Sequence, residues 1–360
     1  MDRRSFLLTA AALAAAPQAL AARPVLEAKA VRLSPKAVRL TWNGKSTPAS
    51  VFVSSDPDAP RLFMREMRSG VTSGAAELSL QAAPRPYFLV ADKAGGQTRV
   101  AERILPLQGG RNFRDLGGYR AADGRQVRWG RIYRSGVMSG LTPADMTYLS
   151  GLGVAVICDL RSVQERTAEP TPFLKTEETR VAAHDYEMGA SLNAMYRATT
   201  RAEAVQAFAD GYVQFIDMLT PQYTEMFDHL VRRETPLAMN CSAGKDRTGM
   251  AAALVLSVLG VPRQTVVADY ALTQTYTPPS MYTQQVSKGA PMSGVSTAQA
   301  QAFARMPPEV LNVLMGSDPD VMRIALKTVD DKFGGPVALA KARFGLTDAK
   351  VARLRETYLI

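Results

Sequence analysis

The chain has 360 residues, 46% of them apolar, which allows two domains with a sizeable core and excludes a disordered polymer. Its formal charge of +10 suits acidic partners such as phosphorylated substrates or anionic lipid headgroups. No basic block interleaved with aromatics is present, which argues against nucleic acid. Two histidines and two cysteines form no metal-ligand cluster, so neither a metal nor another cofactor is expected.

Taken in order, the chain opens with Asp2-Arg3-Arg4-Ser5-Phe6-Leu7-Leu8 and an Ala-rich apolar region to Ala16, followed by Pro17 and the small-residue site Ala19-Leu20-Ala21. This three-part pattern resembles a twin-arginine export signal, and its apolar run is too short to span a bilayer. The expectation is a signal peptide over 1–21, cleaved after Ala21, and a periplasmic or secreted chain with no transmembrane segment beyond it.

Residues 22–106 are strand-like. Ala37 to Trp42 alternates and ends at Asn43-Gly44, a strong hairpin turn; Val51-Phe52-Val53 follows, and Asp56-Pro57-Asp58 breaks the pattern. Glu77 to Leu80, Tyr87 to Val90 and Thr98 to Leu105 add three strands, the last two joined through Ala94-Gly95-Gly96. Short strands at this spacing predict a small all-β sandwich, loosely like a fibronectin type III or immunoglobulin module, serving as a spacer or a docking unit.

Residues 107–360 change character. Trp129 to Ser135 gives a short strand, and Thr142-Pro143-Ala144-Asp145 carries the cap-then-Pro signature of a helix running to Leu152. Gly153 ends that helix, and Val154 to Cys158 reads as a buried strand. Strand, helix and strand in this order predict a mostly parallel central sheet flanked by helices. Asp159-Leu160-Arg161 falls at a strand's C-terminal end, where open α/β sheets place binding groups; Arg161 and Glu165 read as a structural ion pair. Cys158 reads as buried packing, with reversible disulfide protection of Cys241 the minority reading. Thr179 to Tyr186 returns to the sheet. Helical spacing follows over Ala202 to Leu219, Tyr223 to Arg233, Ala251 to Leu259, Val266 to Leu272, Pro308 to Met315, Asp318 to Phe333, Pro336 to Phe344 and Asp348 to Tyr358. Ser280 to Gln301 reads as an insert of weak periodicity.

The chemistry concentrates in Met239-Asn240-Cys241-Ser242-Ala243-Gly244-Lys245-Asp246-Arg247-Thr248-Gly249-Met250, which reads as strand, tight loop and helix. Such a loop fans backbone N–H groups toward one point, and the helix N-terminus adds partial positive charge there. The amides from Ser242, Ala243, Gly244, Lys245, Asp246, Arg247 and Thr248 would wrap a phosphate, with Cys241 and Arg247 on opposite sides of it. Arg247 can grip two phosphate oxygens at once, and the same positive site favours a thiolate at Cys241. Attack by that sulfur would give a phosphocysteine that water then clears. The Thr248 hydroxyl is placed to steady the sulfur as a leaving group, and Lys245 adds charge that suits a highly phosphorylated substrate.

Cys-Ser-Ala-Gly-Lys-Asp-Arg-Thr-Gly resembles the phosphate-binding loop of the cysteine-dependent protein tyrosine phosphatases, in the bacterial branch with Gly-Lys-Asp-Arg-Thr-Gly that includes dual-specificity and phosphoinositide phosphatases. The resemblance extends to Arg111-Asn112-Phe113-Arg114-Asp115-Leu116-Gly117-Gly118-Tyr119, Tyr133-Arg134-Ser135, Asp159-Leu160-Arg161-Ser162 with Glu165-Arg166, Asp269-Tyr270 and Phe333-Gly334-Gly335. It implies phosphatase activity on protein phosphotyrosine, with phosphoinositides or inositol phosphates as the alternative. It also implies that an aspartate protonates the leaving oxygen, with Asp185 the first candidate and Asp246 the second. The Arg111 to Tyr119 stretch would lie beside the active site; the competing reading is a structural loop whose Arg and Asp pair with each other. One departure stands out: the family has His immediately before the cysteine, and this chain has Asn240, which hydrogen-bonds but carries no charge. A phosphate-binding protein with weak or absent chemistry is therefore the competing class.

Overall fold

In a computed structural model of the chain, the residues described are 27–43, 47–172, 179–188, 197–280 and 305–360. The export signal expected over 1–21 and nearly all of the insert expected over 280–301 lie outside them.

The N-terminal strands are β1 (Ala28–Ser34), β2 (Ala37–Trp42), β3 (Ala49–Ser54), β4 (Arg65–Val71), β5 (Ala75–Ser79), β6 (Tyr87–Asp92) and β7 (Gln97–Ala101). They form two antiparallel sheets, in the orders β1-β2-β5 and β4-β3-β6-β7. Alternating residues of each sheet, among them Val38, Leu40, Leu78, Val51, Phe88 and Val90, close one shared core, which is the sandwich expected from period-two patterning. Two details differ from the sequence reading. The strands on either side of Asn43-Gly44 do not pair as a hairpin, because β2 pairs with β1 and β5 whereas β3 lies in the other sheet; Gly44 itself is outside the described residues. The Asn43 carboxamide oxygen accepts instead from the Glu27 amide at 2.7 Å. Strand β4 was also missed, since its charged, mostly exposed residues Arg65, Glu66 and Arg68 carry no apolar period.

The second sheet system is built from β8 (Arg114–Asp115), β9 (Ile132–Ser135), β10 (Val156–Asp159), β11 (Arg180–Ala182) and β12 (Leu237–Asn240), in the order β11-β10-β12-β9-β8. All its pairings are parallel except β8 with β9. Its helices are α1 (Pro143–Ser150), α2 (Val163–Ala168), α3 (Arg201–Met218), α4 (Thr220–Val231), α5 (Arg247–Val258), α6 (Arg263–Ala271), α7 (Thr273–Tyr276), α8 (Pro308–Met315), α9 (Pro319–Phe333), α10 (Pro336–Arg343) and α11 (Asp348–Tyr358). The result is a mixed sheet flanked by helices and preceded by the antiparallel sandwich. Strand alternation divides the core. Ile132, Val156, Cys158, Leu237 and Met239 face the large helical layer, while Tyr133, Ile157 and Ala238 face the smaller layer under α1. Coverage on both faces explains the continuous apolar runs of β10 and β12. Helix α5 is buried all round, and its small residues Gly249, Ala251, Ala252 and Ala253 let it lie close against the sheet. Among the described residues no helix is long and apolar enough to cross a membrane.

The sandwich and the mixed sheet share a polar seam. Buried Arg85 donates to Asp115 Oδ2 at 2.8 Å, to the Tyr133 hydroxyl at 2.7 Å and to the Glu102 carbonyl at 2.9 Å. Asp115 in turn accepts from the Gly117 and Gly130 amides, both at 2.7 Å. Tyr87, Ala101 and Trp129 pack together across the same seam.

Candidate active site

Three loops leave the C-terminal ends of β9, β10 and β12 side by side, with β12 in the middle. The β12 loop is the Cys241–Asp246 stretch, and α5 begins at Arg247. Its neighbours hold its backbone. The Leu160 amide donates to the Asn240 carbonyl at 2.8 Å, and the Val137 amide to the Ser242 carbonyl at 2.9 Å. Gly244 adopts φ +68°, and a Cβ there would lie 2.4 Å from the Gly136 nitrogen, so only glycine fits.

Behind Gly244 stands a buried charged network that aims at its carbonyl. Arg134 Nη2 donates to that oxygen at 2.8 Å and Asn112 Nδ2 at 2.9 Å. Arg134 Nη1 is anchored on Asp269 Oδ2 at 2.7 Å. Tyr119 donates to Asp269 Oδ1 at 2.8 Å, and Arg114 donates to the Asp269 carbonyl at 2.8 Å. Burial opposes a charge on Asp269, but the guanidiniums of Arg114, Arg134 and Arg103 hold its carboxyl below the usual carboxylate range. Burial and the neighbouring Arg134 bring Arg114 down to about 10, opposed by Asp269. The Arg111–Tyr119 stretch therefore supports the loop from below. Its Arg and Asp do not pair with each other: Arg114 goes to Asp269, and Asp115 to Arg85.

Arg247 is the best-held side chain of the site. Its Nη1 donates to Glu165 Oε2 at 2.6 Å and its Nη2 to Glu165 Oε1 at 2.7 Å. Nη1 also reaches the Tyr186 hydroxyl at 2.8 Å and the Leu160 carbonyl at 3.3 Å. A guanidinium has five N–H groups. With Nη1 and half of Nη2 engaged, the Nε edge keeps two parallel donors without a protein partner among the described residues. That edge matches two oxygens of a tetrahedral anion. Burial disfavours the guanidinium charge, yet Glu165, the Cys241 sulfur and Tyr186 raise its proton affinity well above the ordinary arginine value. Burial likewise works against ionised Glu165, but Arg247 and the Ser242 hydroxyl bring its carboxyl down to about 2.

Glu165 thus corrects the sequence reading, because Arg161 pairs with Asp159 and not with Glu165. Its placement is written locally: Ser162 and Glu165 make a reciprocal capping box at the start of α2, which fixes Glu165 beside the β10 terminus. Tyr186, also missed, donates to the Leu160 carbonyl at 2.6 Å while accepting from Arg247.

The other residues singled out in the sequence fall as follows. Cys241 is buried at the loop entrance, and Ala243 packs beside Gly136. Asn240 donates to Asp159 Oδ1 at 3.3 Å, leaving its buried Oδ1 without a partner; buried Thr248 Oγ1 likewise has none among the described residues. Lys245 is held by neighbours of the loop. Its side chain is only 7% exposed and donates to the Leu314 carbonyl of α8 at 2.6 Å, beside Asp246 at 3.4 Å and over the Phe208 ring. Asp246 sits at the N-cap of α5 without capping it, and accepts from the Tyr212 hydroxyl at 2.6 Å. The first-turn amides of α5 therefore have no side-chain cap and stay available to an anion. Asp185 is 81% exposed and paired with Arg166. Cys158, in register with Met239, has its thiol pushed up by burial. Among the described residues no cluster of metal-ligating side chains is found.

An α/β sheet whose central strand feeds a strand–loop–helix turn, with a cysteine where the loop begins and an arginine where the helix begins, defines the class to which this domain belongs. Residues 105–360 match a family model described as the tyrosine phosphatase family, and the chain belongs to that family. It is similar to a candidate tyrosine-protein phosphatase of Cupriavidus necator, 36% identical over 165 residues, which cover 44% of this chain and 59% of that protein. A tyrosine-protein phosphatase of Nostoc commune is 29% identical over 148 residues, 40% of this chain and 48% of the relative. The triple specificity protein phosphatase PtpB of Mycobacterium tuberculosis is 27% identical over 298 residues, 72% of this chain and 100% of its own length. The chain thus spans about half to three fifths of the first two relatives.

Proposed function

We propose that this chain hydrolyses phosphate monoesters, chiefly phosphotyrosine in proteins, through a phosphocysteine intermediate. The observation that carries the reading is Arg247, fixed by Glu165 and Tyr186 with its Nε edge open beside Cys241 and the uncapped amides of α5. The phosphate would bind there with its oxygens on that edge and on the loop amides. The Cys241 thiolate attacks phosphorus, the P–O bond to the leaving group breaks, and an aspartic acid delivers a proton to the departing oxygen. Water then attacks the phosphocysteine with the same carboxylate as base, releasing inorganic phosphate and the thiolate. The dipoles that receive the ground-state dianion also face the equatorial oxygens of the transition state, where positioned donors act most strongly. Of the two acid candidates we place Asp246 first, because it stands within the loop whereas Asp185 is engaged with Arg166 at the surface.

The relatives named as tyrosine-protein phosphatases support phosphotyrosine as the leading substrate, and Lys245, which donates to the Leu314 carbonyl beside Asp246, keeps its charge next to the loop. The same reading takes residues 22–106 as a sandwich module appended to a catalytic domain over 107–360. It takes the twin-arginine-like start as an address for the periplasm or the exterior.

The test is turnover of an aryl phosphate, expected to be insensitive to chelators, blocked by vanadate and abolished in Cys241→Ser. Full activity in that variant would overturn the mechanism. A phosphotyrosine peptide should be hydrolysed faster than any member of an inositol-phosphate panel; the reverse order would assign the site to inositol phosphates.

A further inference from the structure

The connection between β3 and β4 forms a rigid surface turn that the reaction does not use. The chain folds over the outer face of the four-stranded sheet, where Ala59 and Met64 are pinned against Phe52, Leu89 and Ala91. A 3-10 turn over Arg61–Phe63 is closed by the Phe63 amide on the Pro60 carbonyl at 2.9 Å and the Met64 amide on the Arg61 carbonyl at 3.1 Å. Arg99 braces it from beneath, donating to the Pro57 carbonyl at 3.0 Å and the Ala59 carbonyl at 2.7 Å. The fixed turn drives Leu62 and Phe63 outward to 86% and 75% exposure, the most exposed large apolar side chains among the described residues.

Their surroundings are basic. Arg61 stacks on Phe52, Arg65 is exposed, and Arg68 donates only to the Met67 and Glu77 carbonyls, so none of the three has a carboxylate partner among the described residues. Asp58 is already held by Arg128 and Arg131 and Glu77 by Arg39, which leaves Asp56 and Glu66 as the remaining nearby acids, and arginine predominates. We propose that this Leu62-Phe63 turn docks the protein on an anionic lipid surface, inserting the two side chains while the arginines meet the headgroups.

Area and charge both favour lipid over a protein partner. Two side chains expose at most a few hundred Å², well below the roughly 800 Å² per partner of a stable protein interface. A small apolar tip flanked along the chain by Arg61 and Arg65 suits reversible adsorption to an anionic bilayer, where burial of the tip and headgroup attraction add. The turn lies at the opposite end of the mixed sheet from the reaction. Its anchor Arg131 precedes the first residue of β9, whereas Ser135, the last residue of β9, pairs with Asn240 just before Cys241. At about 3.3 Å per residue the strand separates the two ends by roughly 13 Å, so the turn and the cradle lie toward opposite ends of β9.

The experiment is co-sedimentation of the protein with vesicles of phosphatidylglycerol and phosphatidylcholine at low salt, beside pure phosphatidylcholine vesicles. Binding is expected on the anionic vesicles alone, weakening as salt rises. The Leu62→Ser/Phe63→Ser variant keeps every charge and should bind at least tenfold more weakly, with aryl phosphate turnover unchanged. A Phe63→Trp reporter should be quenched by brominated acyl chains. Absence of wild-type binding, undiminished binding of the double variant, or a bound but unquenched reporter would overturn the proposal. So would self-association in light scattering that the double variant abolishes while vesicles capture nothing, an outcome that assigns the turn to a second copy of the chain.

Discussion

Glu165 shows how much of the site rests on one carboxylate. It takes the terminal fork of Arg247 and so presents the other edge of the guanidinium to an incoming anion. Glu165→Gln keeps the shape but removes the charge, and should lower kcat/KM on an aryl phosphate by about ten- to a hundredfold, read from steady-state rates. Linkage gives a second readout. Because the folded carboxyl titrates near 2 against an ordinary 4.5, its contribution, on the order of 3 kcal/mol, is complete above pH 4.5 and fades as pH falls toward 2. Acid unfolding followed by circular dichroism should therefore show the wild type losing its advantage over Glu165→Gln across that window. Asp246→Asn and Asp185→Asn separate the two acid candidates. Loss of about a hundred- to ten-thousandfold on a poor leaving group, relieved on a good one, marks the proton donor, and the expectation is Asp246. Cys241, Arg247 and their loop were legible as a candidate site because these residues are contiguous in the sequence. Glu165 comes from the first turn of α2 and Tyr186 from the stretch after β11, and only tertiary folding brings them to the arginine. The partner of Lys245 was hidden for a related reason, since Leu314 lies far along the chain.

At the level of elements, the loop is cast between strands and cannot reshape itself. Gly244→Ala would set a methyl group against the Gly136 nitrogen and the buried Ser135 backbone at a positive φ, and should cost both activity and thermal stability. Rates measured beside a melting curve check this; a wild-type rate would show the cradle to be pliable. Behind it, Asp269→Asn would leave Arg114 and Arg134 buried without their counter-charge and should destabilise by about 3–5 kcal/mol in denaturant unfolding. Element patterning explains what was readable here. The helices from Pro308 to Tyr358 follow their apolar spacing within a residue or so. Asn43-Gly44, a good local turn signal, instead precedes a crossing between sheets, because the cores of β2 and β3 demand opposite sides of the sandwich. Strand β4 lacked any apolar stripe and was legible only through its partner β3.

Across the whole molecule, the Arg85 seam ties sandwich and sheet into one unit. Arg85 meets Asp115, Asp115 fixes the turns at Gly117 and Gly130, and Arg114 beside it belongs to the network under Gly244. Arg85→Met should lower the melting temperature by several degrees and slow turnover without touching the site directly, because Asp115 would be left buried and unpaired. Calorimetry should show one cooperative transition for the wild type; two well-separated transitions would mean that the halves melt independently. The seam also has a consequence for anyone rebuilding this protein. A graft that exchanges the N-terminal sandwich for another module would strand Asp115 and the Tyr133 hydroxyl under the junction, so a working chimaera must import an arginine in the place of Arg85, because Asp115 cannot be recoded as apolar without orphaning the Gly117 and Gly130 amides.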